Sequence, residues 1–300
     1  MQRIGLLNNN IEEDWLGMRK SLTEKEEKQI CELYQNGVSR IKLCEQFHRT
    51  DKTIKNILNK YGIYIRSIQE SNISKYKINE SFFELNKQTC NTAYILGILA
   101  SDGCVASQEN CIYIELQRED KEILEQINKE LQNERPVKDY ETTKGYKNSK
   151  LYFFSKKIKQ DLSLYHIIPN KTSYDNDFLS NINPKYYIDY IRGHFDGDGS
   201  IKWTGGSINW QIDSTSSKTL YHIQDILNMY GITTRVILKD DKSVVNLPVY
   251  RIYCYGYEKC VKIYKLFYKN PPSVTLRMRR KQQHFAELLL KYKAHETSDL

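Results

Sequence analysis

One stretch of the chain occurs twice. The first copy is Tyr94-Ile95-Leu96-Gly97-Ile98-Leu99-Ala100-Ser101-Asp102-Gly103, and the second is Tyr190-Ile191-Arg192-Gly193-His194-Phe195-Asp196-Gly197-Asp198-Gly199. Gly97 aligns with Gly193, Asp102 with Asp198 and Gly103 with Gly199, at an offset of 96 residues. Each copy reads as an apolar helix closed by an Asp-Gly stop. Gly97, Ala100 and Ser101 fall on one helical face, as do Gly193, Asp196 and Gly197. Glycine inside a helix costs about 1 kcal/mol relative to Ala. It is kept where another backbone comes close, as in small-xxx-small interfaces. The two helices are therefore expected to pack on each other, with Gly97, Ala100, Gly193 and Asp196 at the interface.

That pairing would bring Asp102 and Asp198 together at two helix C-termini. A carboxylate is disfavoured there, because the helix end is already partly negative. A divalent cation such as Mg²⁺ or Mn²⁺ resolves the conflict. Mg²⁺ takes one or two carboxylates, keeps several waters and meets phosphate oxygens. Ser101 and Gly197, which precede the aspartates, are further candidates to hold the metal. An Asp-Gly pair on its own would be only a turn; it is the duplication in matching context that argues for a site.

Both stretches resemble the LAGLIDADG motif of homing endonucleases, as two full nine-residue copies, Ile95–Gly103 and Ile191–Gly199. The departures are Ala100, where the motif has its first Asp, and Arg192 and His194, at positions usually small or apolar. The resemblance covers roughly residues 91–290. It implies that Asp102 and Asp198 bind the catalytic metal. It also implies a late basic segment beside the scissile phosphates. Ile168-Pro169-Asn170-Lys171-Thr172 and Leu276-Arg277-Met278-Arg279-Arg280-Lys281-Gln282-Gln283 occupy that place in the two halves. By position the role falls to Lys171 and to Arg279, with Arg277 as the competing choice.

Three hundred residues with 40 % hydrophobic and 12 % aromatic content are enough for a real core. A net charge of +8 favours an anionic partner. The seven cysteines form no C-x-x-C and match no zinc spacing, and read as reduced thiols of a protein of the cytoplasm or an organellar matrix. No signal peptide and no membrane-length apolar run is evident.

Along the chain, residues 1–20 read as an arm. A three-helix unit follows over 21–62. Thr23 and Glu26 form a capping box before the first helix, Ser39 caps a second over 40–47, and Thr50 or Asp51 caps a third with Ile54, Ile57 and Leu58 inward. The unit resembles the helix-turn-helix of resolvases and transposases, which would present Arg49, Lys52, Thr53, Lys55 and Asn56 to DNA. Residues 63–88 read as a linker whose Phe82, Phe83 and Leu85 pack onto the next domain. Two halves, 89–180 and 181–293, then repeat the order helix–strand–strand–helix–strand–strand–helix, with a last basic helix and a polar tail over 294–300. The expected class is α+β, with two pseudo-symmetric αββαββα halves and saddle-like antiparallel sheets. Strand alternation turns Ile112, Ile114 and Leu116, and Ile208, Trp210 and Ile212, inward. It leaves Glu115, Gln117, Lys150, Asn209, Gln211, Asp213, Arg235, Lys239, Arg251 and Tyr253 to face DNA, together with Arg277.

The resulting expectation is a monomeric, metal-dependent double-strand DNA endonuclease with a long, largely non-palindromic target. Two alternatives stay open: a DNA-binding transcription regulator of the same fold without cleavage, and a maturase that binds intron RNA.

Overall fold

The computed structural model describes residues 21–66, 76–240, 248–269 and 276–298. The arm at 1–20, linker residues 67–75 and the last two residues of the tail lie outside them. The chain divides into two compact units, 1–71 and 72–300.

In the first unit, α1 (Glu24–Gln35) opens on a capping box. The Glu26 carboxylate accepts from the Thr23 N–H at 2.7 Å, and the Thr23 hydroxyl accepts from the Glu26 N–H at 3.3 Å. Ser39 and Thr50 cap α2 (Arg40–Gln46) and α3 (Asp51–Lys60). Their apolar faces close a small core of Ile30, Cys31, Tyr34, Leu43, Ile54, Ile57 and Leu58. Arg66 lies 4.1 Å from the Tyr34 ring centroid and donates to the carbonyls of Tyr34 and Val38. The unit therefore continues to residue 66, past the expected boundary at 62.

The second unit is built on the two motif helices, α4 (Cys90–Ser101) and α7 (Tyr187–Asp198). After α4 come β1 (Gly103–Val105), β2 (Cys111–Gln117), α5 (Lys121–Glu130), β3 (Lys138–Glu141), β4 (Lys147–Phe154) and α6 (Lys156–Leu164). After α7 come β5 (Gly199–Thr204), β6 (Ser207–Ser214), α8 (Ser217–Met229), β7 (Arg235–Asp240), β8 (Val249–Tyr255) and α9 (Tyr257–Tyr264), with α10 (Arg279–Ser298) last. The sheets are antiparallel, in the order β1-β2-β4-β3 and β5-β6-β8-β7. This is the expected α+β class, with the same strand order in both halves.

Register shows the internal symmetry directly. Gly103 pairs with Ile114 in the first sheet, and Gly199 with Ile212 in the second. Each strand that leaves a motif helix thus meets its neighbour one residue before a carboxylate, Glu115 or Asp213. The inward alternation holds: Ile112, Ile114, Leu116, Ile208, Trp210 and Ile212 are all buried in one continuous core.

Residues 76–88 are part of this unit and not a linker. The Asn79 N–H donates to the Leu131 carbonyl at 2.9 Å, Ser155 donates to Glu80 at 2.6 Å, and Phe83 is fully buried. Leu85, expected to pack, is 44 % exposed. The seven cysteines are free thiols. Among the described residues no helix is long and apolar enough to cross a membrane.

Candidate active site

The motif helices touch backbone to backbone. A Cβ added at Gly193 would collide with the Tyr94 carbonyl oxygen, and one at Gly97 would lie 2.6 Å from the His194 nitrogen and strike the Tyr190 carbonyl. A Cβ at Gly197 would lie 2.6 Å from Asp102 Oδ2 and collide with Ser101 Oγ. The interface expected at Gly97 and Gly193 is therefore a true close approach, and it carries the end of each helix to the other. Ala100 and Asp196, the other two interface candidates, are both buried.

Asp196 ties three segments together. Its Oδ2 accepts from the Tyr94 hydroxyl at 2.8 Å and from the Met278 N–H at 2.9 Å, and its Oδ1 accepts from the Tyr268 hydroxyl at 2.7 Å. Burial still leaves its carboxyl above the usual range, against those three donors. Arg192 and His194, the unusual residues of the second motif, are both fully buried side chains. Arg192 is fully buried, 2.9 Å from Asp189 one turn earlier, with its guanidinium 5.2 Å from the Tyr94 ring centroid. His194 Nδ1 lies 3.3 Å from the Tyr190 hydroxyl. Burial, assisted by Lys171 and Lys281, pushes the imidazole down to about 4.

At the helix ends burial and a neighbouring charge raise the cost of ionising the carboxylates. Burial lifts Asp198 first and the charge of Asp102 lifts it further, to about 7. Burial also raises Asp102, while Lys281 and Lys171 pull it back. Each helix C-terminus is capped by a lysine. Lys171 Nζ donates to the carbonyls of Ser101 at 3.3 Å and Gly103 at 2.5 Å. Lys281 Nζ donates to those of Phe195, Gly197 and Gly199 at 2.8, 2.6 and 2.7 Å. A cation at a helix C-terminus meets the unpaired carbonyls and the negative end of the macrodipole. Burial lowers both ammonium groups, and the aspartates oppose that shift.

Two clefts open on these ends, and each combines a carboxylate of one half with a lysine of the other. A cleft of about 930 Å³ is lined by Asp102, Gly197, Lys281, Glu115, Gln117 and Arg280. A smaller one of about 240 Å³ is lined by Ser101, Lys171, Asp198, Asp213, Thr215 and Val249. Asp102 and Asp198 suit a hard divalent cation that keeps most of its waters. Among the described residues no group of three or more His, Cys, Asp or Glu is arranged to hold a metal, so a cation here would rest on this pair and on carbonyls. Ser101 Oγ lies within hydrogen-bond distance of the Gly97 and Ile98 carbonyls and of Asp102 Oδ2, and Ser101 lines the smaller cleft. The carbonyls of Ser101 and Gly197 accept from the lysines.

Several expected residues sit differently. Arg279 is not at the second helix end. It is exposed and lies 3.1 Å from Glu122, and Lys281, two positions later, takes the place that mirrors Lys171. Arg277 is half-buried in the segment before α10. Asn209, expected to face outward, is buried between Lys202 and Tyr255 on the adjacent strands. Asp213, Arg251 and Lys239 hold one another. Arg251 donates to Asp213 at 2.6 and 2.9 Å, and Lys239 donates to it at 2.7 Å. Burial alone would raise Asp213, but these two cations outweigh it and hold the carboxyl low. Glu115 mirrors this with Asn148 at 2.9 Å and Lys150 at 3.7 Å. Gln117 and Gln211 stand on the same outward faces, and Arg235 pairs across from Tyr253. In the first unit Lys52 and Asn56 are exposed on α3, Lys55 lies 3.0 Å from Asp51, and Thr53 is 2.9 Å from Thr50. Arg49 turns a guanidinium N–H back to the His48 carbonyl. Lys281, Arg280 and Asp120 were not singled out from sequence; only the pseudo-symmetry with Lys171 could have pointed to the first.

Residues 91–176 match a family model described as the WhiA LAGLIDADG-like domain, and residues 185–287 match one described as a LAGLIDADG-like domain. An uncharacterized protein of Methanocaldococcus jannaschii is 31 % identical over 148 residues, which is 49 % of this chain and 54 % of that protein. The chain thus spans about half the length of that curated relative. Among solved structures, the homing endonuclease I-DmoI in complex with DNA and Ca superposes with a TM-score of 0.46 at 15 % identity, over 70 % of this chain and 99 % of that one. Full-length WhiA from Thermatoga maritima gives 0.44 at 15 % identity, over 71 % and 66 %.

Proposed function

We propose that this chain, which carries two LAGLIDADG-like domains, binds double-stranded DNA along its two antiparallel sheets with the paired helix ends against the phosphate backbone. The observation that carries the reading is the arrangement of Asp102, Asp198, Lys171 and Lys281 at the end of the α4–α7 pair, opening on two clefts. Antiparallel sheets with one dry and one polar face suit a groove-reading surface. The net charge of +8 suits a polyanion.

The same four residues support hydrolysis of a phosphodiester in each cleft. Asp102 and Asp198 would hold a divalent cation, Mg²⁺ or Mn²⁺, which would supply a more acidic water and a Lewis acid at the phosphate. Lys171 and Lys281 would supply positive charge to the charge that develops on phosphate oxygens. A second reading, a DNA-binding regulator that does not cut, is favoured by the WhiA-type match over residues 91–176. The domain comparisons support this reading at least as well as cleavage.

Selection from a randomised duplex pool, followed by incubation of the bound sequence with Mg²⁺ or with EDTA, separates these readings. A cut confined to Mg²⁺ and lowered at least ~100-fold in both Asp102→Asn and Asp198→Asn supports the nuclease. Binding without a cut supports the regulator. Failure to enrich any duplex sinks both.

A further inference from the structure

The N-terminus of α10 spans the two halves. Lys281 reaches back to three carbonyls at the end of α7, in the second half. Arg280, its neighbour in sequence, reaches the other way. Its Nε lies 3.0 and 3.2 Å from the two carboxylate oxygens of Asp120, and Nη2 donates to Asp120 Oδ2 at 2.6 Å. Asp120 is buried and precedes α5, in the first half. Both residues line the larger cleft with Asp102 and Lys281.

The smaller cleft is braced by other chemistry. There Lys171 follows Asn170, whose backbone is left-handed at φ 56°. The chain beyond it is stitched to the start of α8. The Asn176 carbonyl accepts from the Ser216 and Thr219 hydroxyls, and Asp175 accepts from the Lys218 N–H at 3.0 Å. No arginine takes part in those bonds. The segment after Lys171 is thus held by hydroxyl–carbonyl bonds, by Asp175 and by Asp177, which lies 2.9 Å from His222. Lys281 is delivered by a helix start anchored on the first half by two arginine–carboxylate pairs: the forked Arg280 on buried Asp120, and the exposed Arg279 at 3.1 Å from Glu122. Such a forked pair fixes direction as well as distance.

We infer that Asp120 and Arg280 form a positioning pair that holds Lys281 against the end of α7 in the Asp102 cleft, with no arginine–carboxylate counterpart at Lys171 among the described residues. The functional side of this rests on the reading that the clefts act on DNA; the positional side does not. Without the pair, the start of α10 loses its forked anchor on the first half and keeps only the exposed Arg279–Glu122 contact. Lys281 then spends part of its time off the three carbonyls, while Lys171 is undisturbed.

The test uses the full-length protein and trace labelling with acetic anhydride, with the modification read residue by residue by mass spectrometry. In Arg280→Gln, acetylation at Lys281 is expected to rise at least fivefold, with Lys171 and the exposed Lys185 unchanged. Arg280→Lys restores one charged donor and is expected to fall near the wild type. Should Arg280→Gln fail to fold because Asp120 is left buried and unpaired, Asp120→Asn/Arg280→Gln removes both charges and is expected to give the same rise. Unchanged labelling of Lys281 in a folded variant would overturn the inference. An equal rise at Lys171 would also overturn it, since that signals general loosening. Where the wild type cuts DNA, Arg280→Gln is expected to slow one strand's cut by at least tenfold more than the other's; equal slowing overturns the one-sidedness. If the wild type cuts nothing, the nuclease reading fails and the labelling alone decides the pair.

Discussion

His194 shows how a single side chain in the second motif couples packing to pH. It stands where a small or apolar residue would serve the helix interface, and it is buried against Tyr190. Burial, with Lys171 and Lys281 nearby, holds its imidazole down at about 4, so the folded protein keeps it neutral through the whole range above that. An unfolded chain titrates the same ring near 6.5. As pH falls below 6.5 the unfolded state gains a proton that the folded state refuses, and stability is lost until about pH 4. Asp198 acts in the opposite sense, because its raised carboxyl favours the fold as pH falls through 7. The two effects are separated by comparing the wild type with His194→Gln, which keeps Asp198 and removes the imidazole. Between pH 7.5 and 5 the wild type is expected to lose about 2 kcal/mol relative to the variant, from 1.5 units at about 1.36 kcal/mol each. Urea unfolding at the two pH values measures it. A relative change near zero would mean that the ring is charged, or hydrated, in the fold.

At the scale of elements, the α4–α7 pair sets the tolerance of everything built on it. Alanine at Gly193 gains about 1 kcal/mol in helix propensity. That gain meets a steric wall, because its Cβ strikes the Tyr94 carbonyl oxygen and lies 2.9 Å from the Tyr94 carbonyl carbon. Backbone cannot rotate away as a side chain can, so the helices must separate. Gly193→Ala is expected to destabilise by a net ~2 kcal/mol or more, read as a lower urea midpoint at unchanged slope. A neutral or stabilised variant would mean that the helices do not touch there. These helices and strands were legible in the chain because each carries its own signal: small residues at helical spacing, period-two alternation in β2 and β6, and side-chain caps at Thr23, Ser39 and Thr50. What was not legible depends on where an element begins or on which strand lies beside it. Arg279 and Lys281 are two positions apart, about 200° around a helix, so one faces Glu122 while the other faces α7. Sequence spacing alone did not decide between them. Asp213, Arg251 and Lys239 come from three strands, and their mutual pairing exists only once register is known. For the same reason Asn209 follows the outward alternation and is nevertheless buried between its strand neighbours.

At the scale of the whole molecule, neither half makes a cleft alone. Asp102 shares one with Lys281, and Asp198 shares the other with Lys171. The three-helix unit stands apart from this dependence. Among the described residues it has its own core. If both units meet DNA, the cations of α3 add phosphate contacts to those of the sheets without altering the clefts. Each phosphate neutralised releases counterions and steepens the fall of affinity with salt by about 0.9 in log–log slope. Lys52 and Lys55 are the lysines α3 offers ahead of its last turn. Removal of residues 1–75 is therefore expected to weaken duplex binding and to lower the slope by about 2. Lys52→Ala/Lys55→Ala in the full chain should reproduce most of that change. Binding measured by fluorescence anisotropy over a salt series, with the duplex recovered from selection, gives both numbers. If affinity falls but the slope holds, the first unit reads bases or braces the protein without touching phosphate. If neither changes, the three helices serve a partner other than this DNA, and the second unit alone accounts for its recognition.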